Sequence, residues 1–286
     1  MYTALIVEPF GWLLKQCYYL LGNYGLAIIL FTVLAKLVML PFQMKSKKGM
    51  MEMQRIQPKL AELEKKYKDD KERYSIEVQK LYKKEGVSMF GGCLPMLITL
   101  PIMFGLYSVL RQPLTYIFDI TPDQINALAD AFRTAGAAGI PQGVASGSNY
   151  MLQISVASYI ASFREIVAEI APNIANVDFT FLGIDLAAIP NFKYITPLWV
   201  IPVLSGVTAW ISNLFIRKGQ GKPMTEQAAA TNGMMNLMMP LMSVWIAFMV
   251  PAGLGLYWII SNILSAIQEP LLTAYYKNKA NKSQEE

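Results

Sequence analysis

Residues 23–42 read NYGLAIILFTVLAKLVMLPF, a run of 20 residues in which Lys36 is the only charged side chain. As an α-helix this run is about 30 Å long, because each residue adds about 1.5 Å. The hydrocarbon core of a membrane is also about 30 Å thick. The run therefore predicts a first membrane-spanning helix, TM1, and assigns the chain to the all-α integral membrane proteins.

Four further segments are apolar and long enough to cross a membrane. They are TM2 (87–111), TM3 (194–216), TM4 (233–250) and TM5 (252–272). A single residue separates TM4 from TM5, so these two spans are expected to form a hairpin. The composition agrees, because only 16% of the 286 residues are charged, against about 25% in a soluble domain.

The distribution of charge predicts the orientation of the five spans. Residues 43–88 hold 13 Lys and Arg against 8 Asp and Glu, whereas residues 112–196 hold 3 against 7. Basic loops stay in the cytoplasm, so the first segment is expected inside and the second outside. The basic loop 217–232 and tail 273–286 are also expected inside. The predicted chain is multi-pass, with its N-terminus outside and its C-terminus cytoplasmic.

The segments between the spans also have helical patterns. In 43–86, apolar residues recur every three or four positions and predict a cytoplasmic helical hairpin, although a plain solvated charge run is the alternative. Residues 1–22 predict an interfacial N-terminal helix, with Trp12 among its headgroup-layer aromatics and no removable signal peptide expected. Residues 112–193 form an extracytoplasmic segment with amphipathic helices. Residues 151–170 are expected to be one of these, and the sequence leaves open whether this helix lies on the membrane or inserts.

The residue types exclude several kinds of chemistry. The chain has no His and only two Cys, so it lacks the ligands of a structural zinc site and the base of a His triad. It has no phosphate-binding P-loop and no Gly-x-Ser-x-Gly pattern. We expect no metal, no cofactor and no enzymatic activity.

Lys36 is the candidate functional charge. It lies six residues from the inner end of TM1, and a charge at mid-membrane costs about 2.5–3.5 kcal/mol on insertion scales. It could either snorkel to the inner surface or face a polar cavity. Ser, Thr and Asn side chains at helical spacing favour a water-filled cavity. The candidates for lining it are Thr32, Thr99, Ser205, Thr208, Ser212, Ser243, Ser261, Asn262 and Ser265.

The stretch GGCLPMLITLPI at 91–102 is the most specific motif of the chain, and it resembles the start of the second core helix of the YidC/Oxa family of membrane protein insertases, in its bacterial, Gram-positive-like core form. Further matches are GLAIILFT at 25–32 leading to Lys36, MQRIQPK at 53–59, FLGIDL at 181–186, and LYW at 256–258. These motifs occur in the order and at the spacing that the family has, and together they extend over most of the chain.

The resemblance implies a fold, a mechanism and partners. Five helices would surround a hydrophilic groove that is open to the cytoplasm and to lipid. A positive residue in the first helix, here Lys36, would attract the polar or acidic tail of a nascent membrane protein in the bacterial plasma membrane. The implied partners are nascent membrane proteins and the lipid bilayer, with no specific nucleic acid. The ribosome, the signal recognition particle pathway and the Sec translocon stay open as further partners.

Two residues depart from the family pattern, and one other function stays open. Lys36 stands where the family usually has Arg, and Thr99 stands where several members have Gln. The alternative function is a small transporter or channel that uses Lys36 as an intramembrane ion or substrate site. No internal repeat supports that alternative, and electrophysiology would distinguish it from insertion.

Overall fold

The computed structural model describes residues 7–68, 70–87, 104–105, 107–137, 150–174, 177–220, 238 and 240–285. The helices are α1 (Glu8–Leu21), α2 (Tyr24–Lys66), α3 (Lys71–Glu85), α4 (Pro113–Tyr116), α5 (Pro122–Thr134), α6 (Tyr150–Tyr159), α7 (Arg164–Ile170), α8 (Val200–Gln220) and α9 (Ala252–Glu285). Residues 107–111 and 240–247 are also helical. Two 3-10 turns, Pro172–Ile174 and Pro197–Trp199, and one ribbon of β1 (Thr180–Phe181) and β2 (Ile184–Asp185) complete the described chain. The predicted all-α class is confirmed.

The break between α1 and α2 follows from two adjacent residues. Gly22 adopts a left-handed conformation at φ 63° and donates its amide to the Tyr18 carbonyl at 2.8 Å. Glycine is favoured there because it has no Cβ to clash. The Asn23 side chain then accepts a hydrogen bond from the amide of Leu26 at 3.1 Å, which caps the start of α2. The chain therefore turns sharply where TM1 is predicted to begin.

α2 does not end at residue 42, the predicted inner end of TM1, but continues for 43 residues to Lys66. A turn at Tyr67 and Lys68 leads to α3, whose first turn is capped by Asp70. The two helices are joined by ion pairs from Arg55 and Lys59 to Glu85. These paired ammonium and guanidinium groups lower the pKa of the Glu85 carboxyl. The cytoplasmic location of this hairpin stays a prediction.

The chain divides into two compact units. Unit 1 comprises Met1–Leu34, Pro101–Gly206 and Ser243–Ser261, and unit 2 comprises Ala35–Leu100, Val207–Met242 and Asn262–Glu286.

In unit 1, α5 packs against α6 and α7. The residues predicted as a single helix, 151–170, form two helices instead, because the chain turns between Tyr159 and Arg164. This turn lets Phe163 stack on Phe132, with ring centroids 5.1 Å apart.

A strap formed by residues 177–188, also in unit 1, packs on the first turns of two helices. The amides of Ala252 and Gly253, at the start of α9, donate to the carbonyls of Ala188 and Leu186 at 2.9 and 2.8 Å. These bonds satisfy two of the amides that every helix N-terminus leaves unpaired. At the start of α2, the Phe181 ring occupies the space beside Gly25. The strap therefore fixes the beginnings of α2 and α9.

Gly25→Ala is expected to destabilise the protein, although Ala normally favours a helix over Gly. A Cβ on Gly25 would lie 2.2 Å from Phe181 Cγ, well inside van der Waals contact. Overpacking of this kind costs about 1–3 kcal/mol, measurable by thermal unfolding in detergent. The control is Gly25→Ala combined with Phe181→Ala, which removes the ring and should abolish the penalty of the alanine. If Gly25→Ala stabilises the protein against thermal unfolding, the close contact between Gly25 and the Phe181 ring is refuted.

Large apolar side chains are exposed along α8, while polar ones are buried. The exposed residues recur at helical spacing and are Val200, Val203, Leu204, Val207, Trp210, Ile211 and Phe215. Ser205 and Ser212, on another face of the helix, are buried. An amphipathic helix in a soluble protein shows the opposite pattern. The exposed stripe is suited to contact with lipid chains.

Two of the described helical stretches are long and apolar enough to cross a membrane, α2 and Pro197–Lys218. They contain the predicted TM1 and most of TM3. Most of the predicted TM2 and part of TM4 lie outside the described residues. α9 contains the predicted TM5, and its apolar sequence is interrupted by Asn262, Gln268 and Glu269. An exposed apolar stripe nevertheless follows α9 at four-residue spacing, through Ile263, Ile267, Leu271 and Tyr275.

Candidate functional site

Lys36 lies half-buried on α2, within the predicted span TM1. Its ammonium donates a hydrogen bond to Ser265 Oγ on α9 at 2.7 Å. No acidic side chain in the described part of unit 2 forms an ion pair with it. The next two residues, Leu37 and Val38, are exposed and apolar. The ammonium therefore has a polar partner on another helix and no acidic partner among the described residues of its unit.

Three more of the predicted residues lie in unit 2. Asn262, one turn before Ser265 on α9, donates from Nδ2 to Thr208 Oγ1 on α8 at 3.4 Å. Ser212, one turn further along α8, is buried. The polar stripe predicted on α9 is thus in contact with the stripe predicted on α8. Together with Lys36 they form a polar cluster among three helices, which we call the Lys36 cluster (Lys36, Thr208, Asn262 and Ser265).

A buried ion pair, which the sequence reasoning did not identify, lies beside the Lys36 cluster in unit 2. Lys47 on α2 pairs with Glu269 on α9, and the Lys47 side chain is only 2% exposed. The Glu269 side chain is 17% exposed and its charge is compensated by Lys47. Nearby, the Tyr276 hydroxyl donates to the Met44 carbonyl at 2.9 Å. The ion pair and this hydrogen bond both join α9 to α2.

Helical spacing indicates which faces of α2 and α9 carry this pair, although not that the two helices pack together. Lys36 and Lys47 are separated by three helical turns and share one face of α2, because 11 residues at about 3.6 per turn nearly complete whole turns. Ser265 and Glu269 are four residues apart and share one face of α9. The two lysines therefore face the same partner helix. They differ in that Lys47 has a carboxylate partner and Lys36 has a hydroxyl.

The other predicted residues fall in unit 1 or outside the described chain. Ser205 Oγ and Ser243 Oγ are hydrogen-bonded at 2.9 Å, and Ser261 bonds the Tyr257 side chain. The buried Thr32 hydroxyl donates to the carbonyl of Ile28 at 2.6 Å, a local bond within α2. Thr99 lies outside the described residues. The structure therefore joins Ser205 to Ser243 but gives Thr32 a backbone partner.

The chemistry that the Lys36 cluster offers is electrostatic. It contains an ammonium, two hydroxyls and an amide. Among the described residues no set of three His, Cys, Asp or Glu side chains could hold a metal ion. An uncompensated ammonium in a region of low dielectric attracts a carboxylate more strongly than it would in water. The cluster is suited to binding an anionic group.

Comparisons with known proteins relate the chain to a family of membrane proteins. The family model described as "60Kd inner membrane protein" matches residues 16–280. A protein of Caldanaerobacter subterraneus subsp. tengcongensis named "Membrane protein insertase YidC" is 30% identical over 266 residues, which are 93% of each chain. A protein of the same name from Fusobacterium nucleatum is 28% identical over 265 residues, again 93% of each.

Other relatives are longer than this chain. The "Membrane protein insertase YidC" of Nitratidesulfovibrio vulgaris is 30% identical over 266 residues, which are 93% of this chain but 38% of that protein. With a family model that matches nearly the whole sequence, the chain belongs to the 60Kd inner membrane protein family, the YidC/Oxa1 family.

Proposed function

We propose that this protein is a membrane protein insertase and chaperone that moves nascent membrane proteins into the lipid bilayer without catalysing a covalent reaction. The observation that carries the proposal is the half-buried ammonium of Lys36, bonded to Ser265 at 2.7 Å and without an acidic partner in the described part of its unit. The relatives named as insertases support the same function. In this proposal the partners are nascent membrane proteins and the bilayer.

The mechanism we propose uses a hydrophilic groove among five membrane-spanning helices, open to the cytoplasm and to lipid. Water in the groove shortens the hydrocarbon path that the polar tail of a client must cross. Lys36 partly neutralises a carboxylate in that tail, and the Lys36 cluster supplies further hydrogen-bonding groups. The apolar segment of the client meanwhile leaves sideways, along exposed apolar stripes such as the one on α8. The driving force is burial of that apolar segment in lipid.

Purified protein in liposomes tests the proposal. A single-spanning client with an acidic tail is expected to insert with the protein present and not in protein-free liposomes. Protease protection of the client tail measures the insertion. Ion currents across a bilayer in the absence of any insertion would instead support the transporter or channel.

Reporter fusions test the proposed orientation, with the N-terminus outside and the C-terminus inside the plasma membrane. A reporter fused after Glu286, or inserted within 65–84, is expected to report a cytoplasmic location. One inserted within 135–148 is expected to report an external location, because that segment follows TM2 and precedes TM3. Alkaline phosphatase and green fluorescent protein give opposite signals on the two sides and provide matched controls. A cytoplasmic signal from 135–148 would mean that the number of spans is wrong.

A further inference from the structure

The turn between β1 and β2 carries an apolar residue where a polar one would be expected. Phe181 pairs with Ile184, so Leu182 and Gly183 are the two central residues of a tight hairpin. Both have positive φ, 51° and 79°, the conformation of a type I′ turn. Asn-Gly and Asp-Gly are the favoured sequences for that turn. A leucine here is conformationally unfavourable, and its side chain is 86% exposed.

The neighbouring contacts place this turn at the level where the spans begin. The Phe181 ring fills the space beside Gly25, the second residue of α2. Gly25 is two residues inside the predicted start of TM1, about 3 Å along the helix axis. On its other side, β2 contacts the 3-10 turn Pro197–Trp199 that precedes α8. Leu182, next to Phe181, therefore lies close to the plane of the membrane boundary.

Other exposed apolar side chains precede the same 3-10 turn. Tyr194 and Ile195 are 69% and 87% exposed. The Trp199 indole donates to the carbonyls of Asn191 and Tyr194 at 2.9 Å, which orders this stretch. Aromatic residues with a polar group are typical of the membrane–water interface. Three exposed side chains thus lie on an ordered backbone near the start of the predicted span TM3. We call them the apolar set (Leu182, Tyr194 and Ile195).

We propose that Leu182 and Ile195 insert into the lipid leaflet at which α2, α8 and α9 begin and anchor the 177–188 strap to it. This is the outer leaflet in the orientation proposed above. Lipid fits as the partner because exposed apolar side chains recur along the chain from Tyr194 and Ile195 to the exposed apolar stripe of α8, which begins at Val200. The inference rests on α2 and α8 spanning the membrane and not on insertase activity.

Site-specific fluorescence in proteoliposomes tests the anchor. Leu182→Cys is labelled with an NBD fluorophore in a full-length chain carrying Cys17→Ala and Cys93→Ala. The vesicles contain phosphatidylcholine and phosphatidylglycerol with a nitroxide at acyl carbon 5. Quenching by these lipids is expected to be at least about twofold stronger than at Asp123→Cys, because anchoring groups lie about 5–10 Å into the headgroup region. Asp123 is exposed on the first turn of α5.

Two further positions complete the test. Val38→Cys, exposed within the predicted TM1, is the positive control for quenching by lipid. Ile195→Cys probes the same leaflet without altering the turn, so the proposal can be tested even if Leu182→Cys folds poorly. The anchor would be overturned if aqueous iodide quenches the labels at positions 182 and 195 as strongly as it quenches the label at position 123. The anchor would also be overturned if neither iodide nor the nitroxide lipids quench the labels at 182 and 195, because protein would then cover both positions. Loss of client insertion with lipid quenching intact would count against the insertase function alone.

Discussion

Lys36→Ala is expected to lose insertion of clients with acidic tails, whereas Lys36→Arg retains it and Lys36→Glu is the most impaired. A carboxylate about 8 Å from the ammonium, at an effective dielectric constant of about 20, gains about 2 kcal/mol. That energy corresponds to about a 30-fold change in an equilibrium. Arginine keeps the charge, alanine removes it, and glutamate repels the same carboxylate. The liposome assay with protease protection measures the three variants against the unsubstituted protein.

Two controls distinguish a specific role of Lys36 from the general effect of losing one positive charge and from loss of fold. Lys48→Ala removes one positive charge from an exposed position of α2, where Lys48 pairs with Glu52, and is expected to leave insertion nearly unchanged. A client whose tail lacks acidic residues should be much less sensitive to Lys36→Ala. If Lys36 only snorkels to the headgroups, the alanine variant inserts acidic-tailed clients normally. That result would leave the family assignment intact and remove Lys36 from the mechanism.

Glu269→Ala is expected to destabilise the protein strongly, and by more than Gly25→Ala does. It leaves the ammonium of Lys47, which is 2% exposed, without a partner. Breaking a buried ion pair from one side typically costs about 3–5 kcal/mol, because the remaining charge stays desolvated. Thermal unfolding in detergent or nanodiscs, followed by intrinsic fluorescence, measures the loss.

The double substitution Lys47→Met with Glu269→Gln is the decisive comparison. Replacing both charges by groups of similar size is often neutral, so most of the lost stability should return. The exposed pair Lys48–Glu52 is the matched control, and Glu52→Ala is expected to change stability by less than about 1 kcal/mol. A Glu269→Ala variant as stable as Glu52→Ala would show that Lys47 is hydrated and that the pair is unimportant.

Sequence patterns predicted those helices that an apolar run or a capping residue marks in the sequence. The 23–42 run indicates TM1, and a charged residue in such a run is conspicuous because it is costly, so Lys36 could be found. Its partner Ser265 could be found as part of a polar stripe with Asn262. The stripes were expected to line a shared water-filled cavity, and the structure brings those of α8 and α9 into contact through Asn262 and Thr208.

Other features depend on information that no local pattern holds. The end of the helix that contains TM1 could not be located, because α2 remains helical through the polar residues after Phe42, and helical periodicity does not show where a helix leaves lipid. The pair Lys47–Glu269 joins residues 222 positions apart, so predicting it requires knowing which helices pack together. The turn that separates α6 from α7 depends on the stacking of Phe163 on Phe132, a contact between distant residues.

The continuity of α2 has a mechanical consequence. From Tyr24 to Lys66 it is a rod about 65 Å long, since each residue adds about 1.5 Å. Lys36, Lys47 and the first arm of the hairpin lie on this one helix, with no loop between them. Pro41, between the two lysines, and Pro58, in the arm of the hairpin, each lack the amide for one helical hydrogen bond, so bending of α2 is expected at these two turns. A movement of the outer hairpin would therefore be weakened at Pro58 before it reaches Lys47, and again at Pro41 before it reaches Lys36.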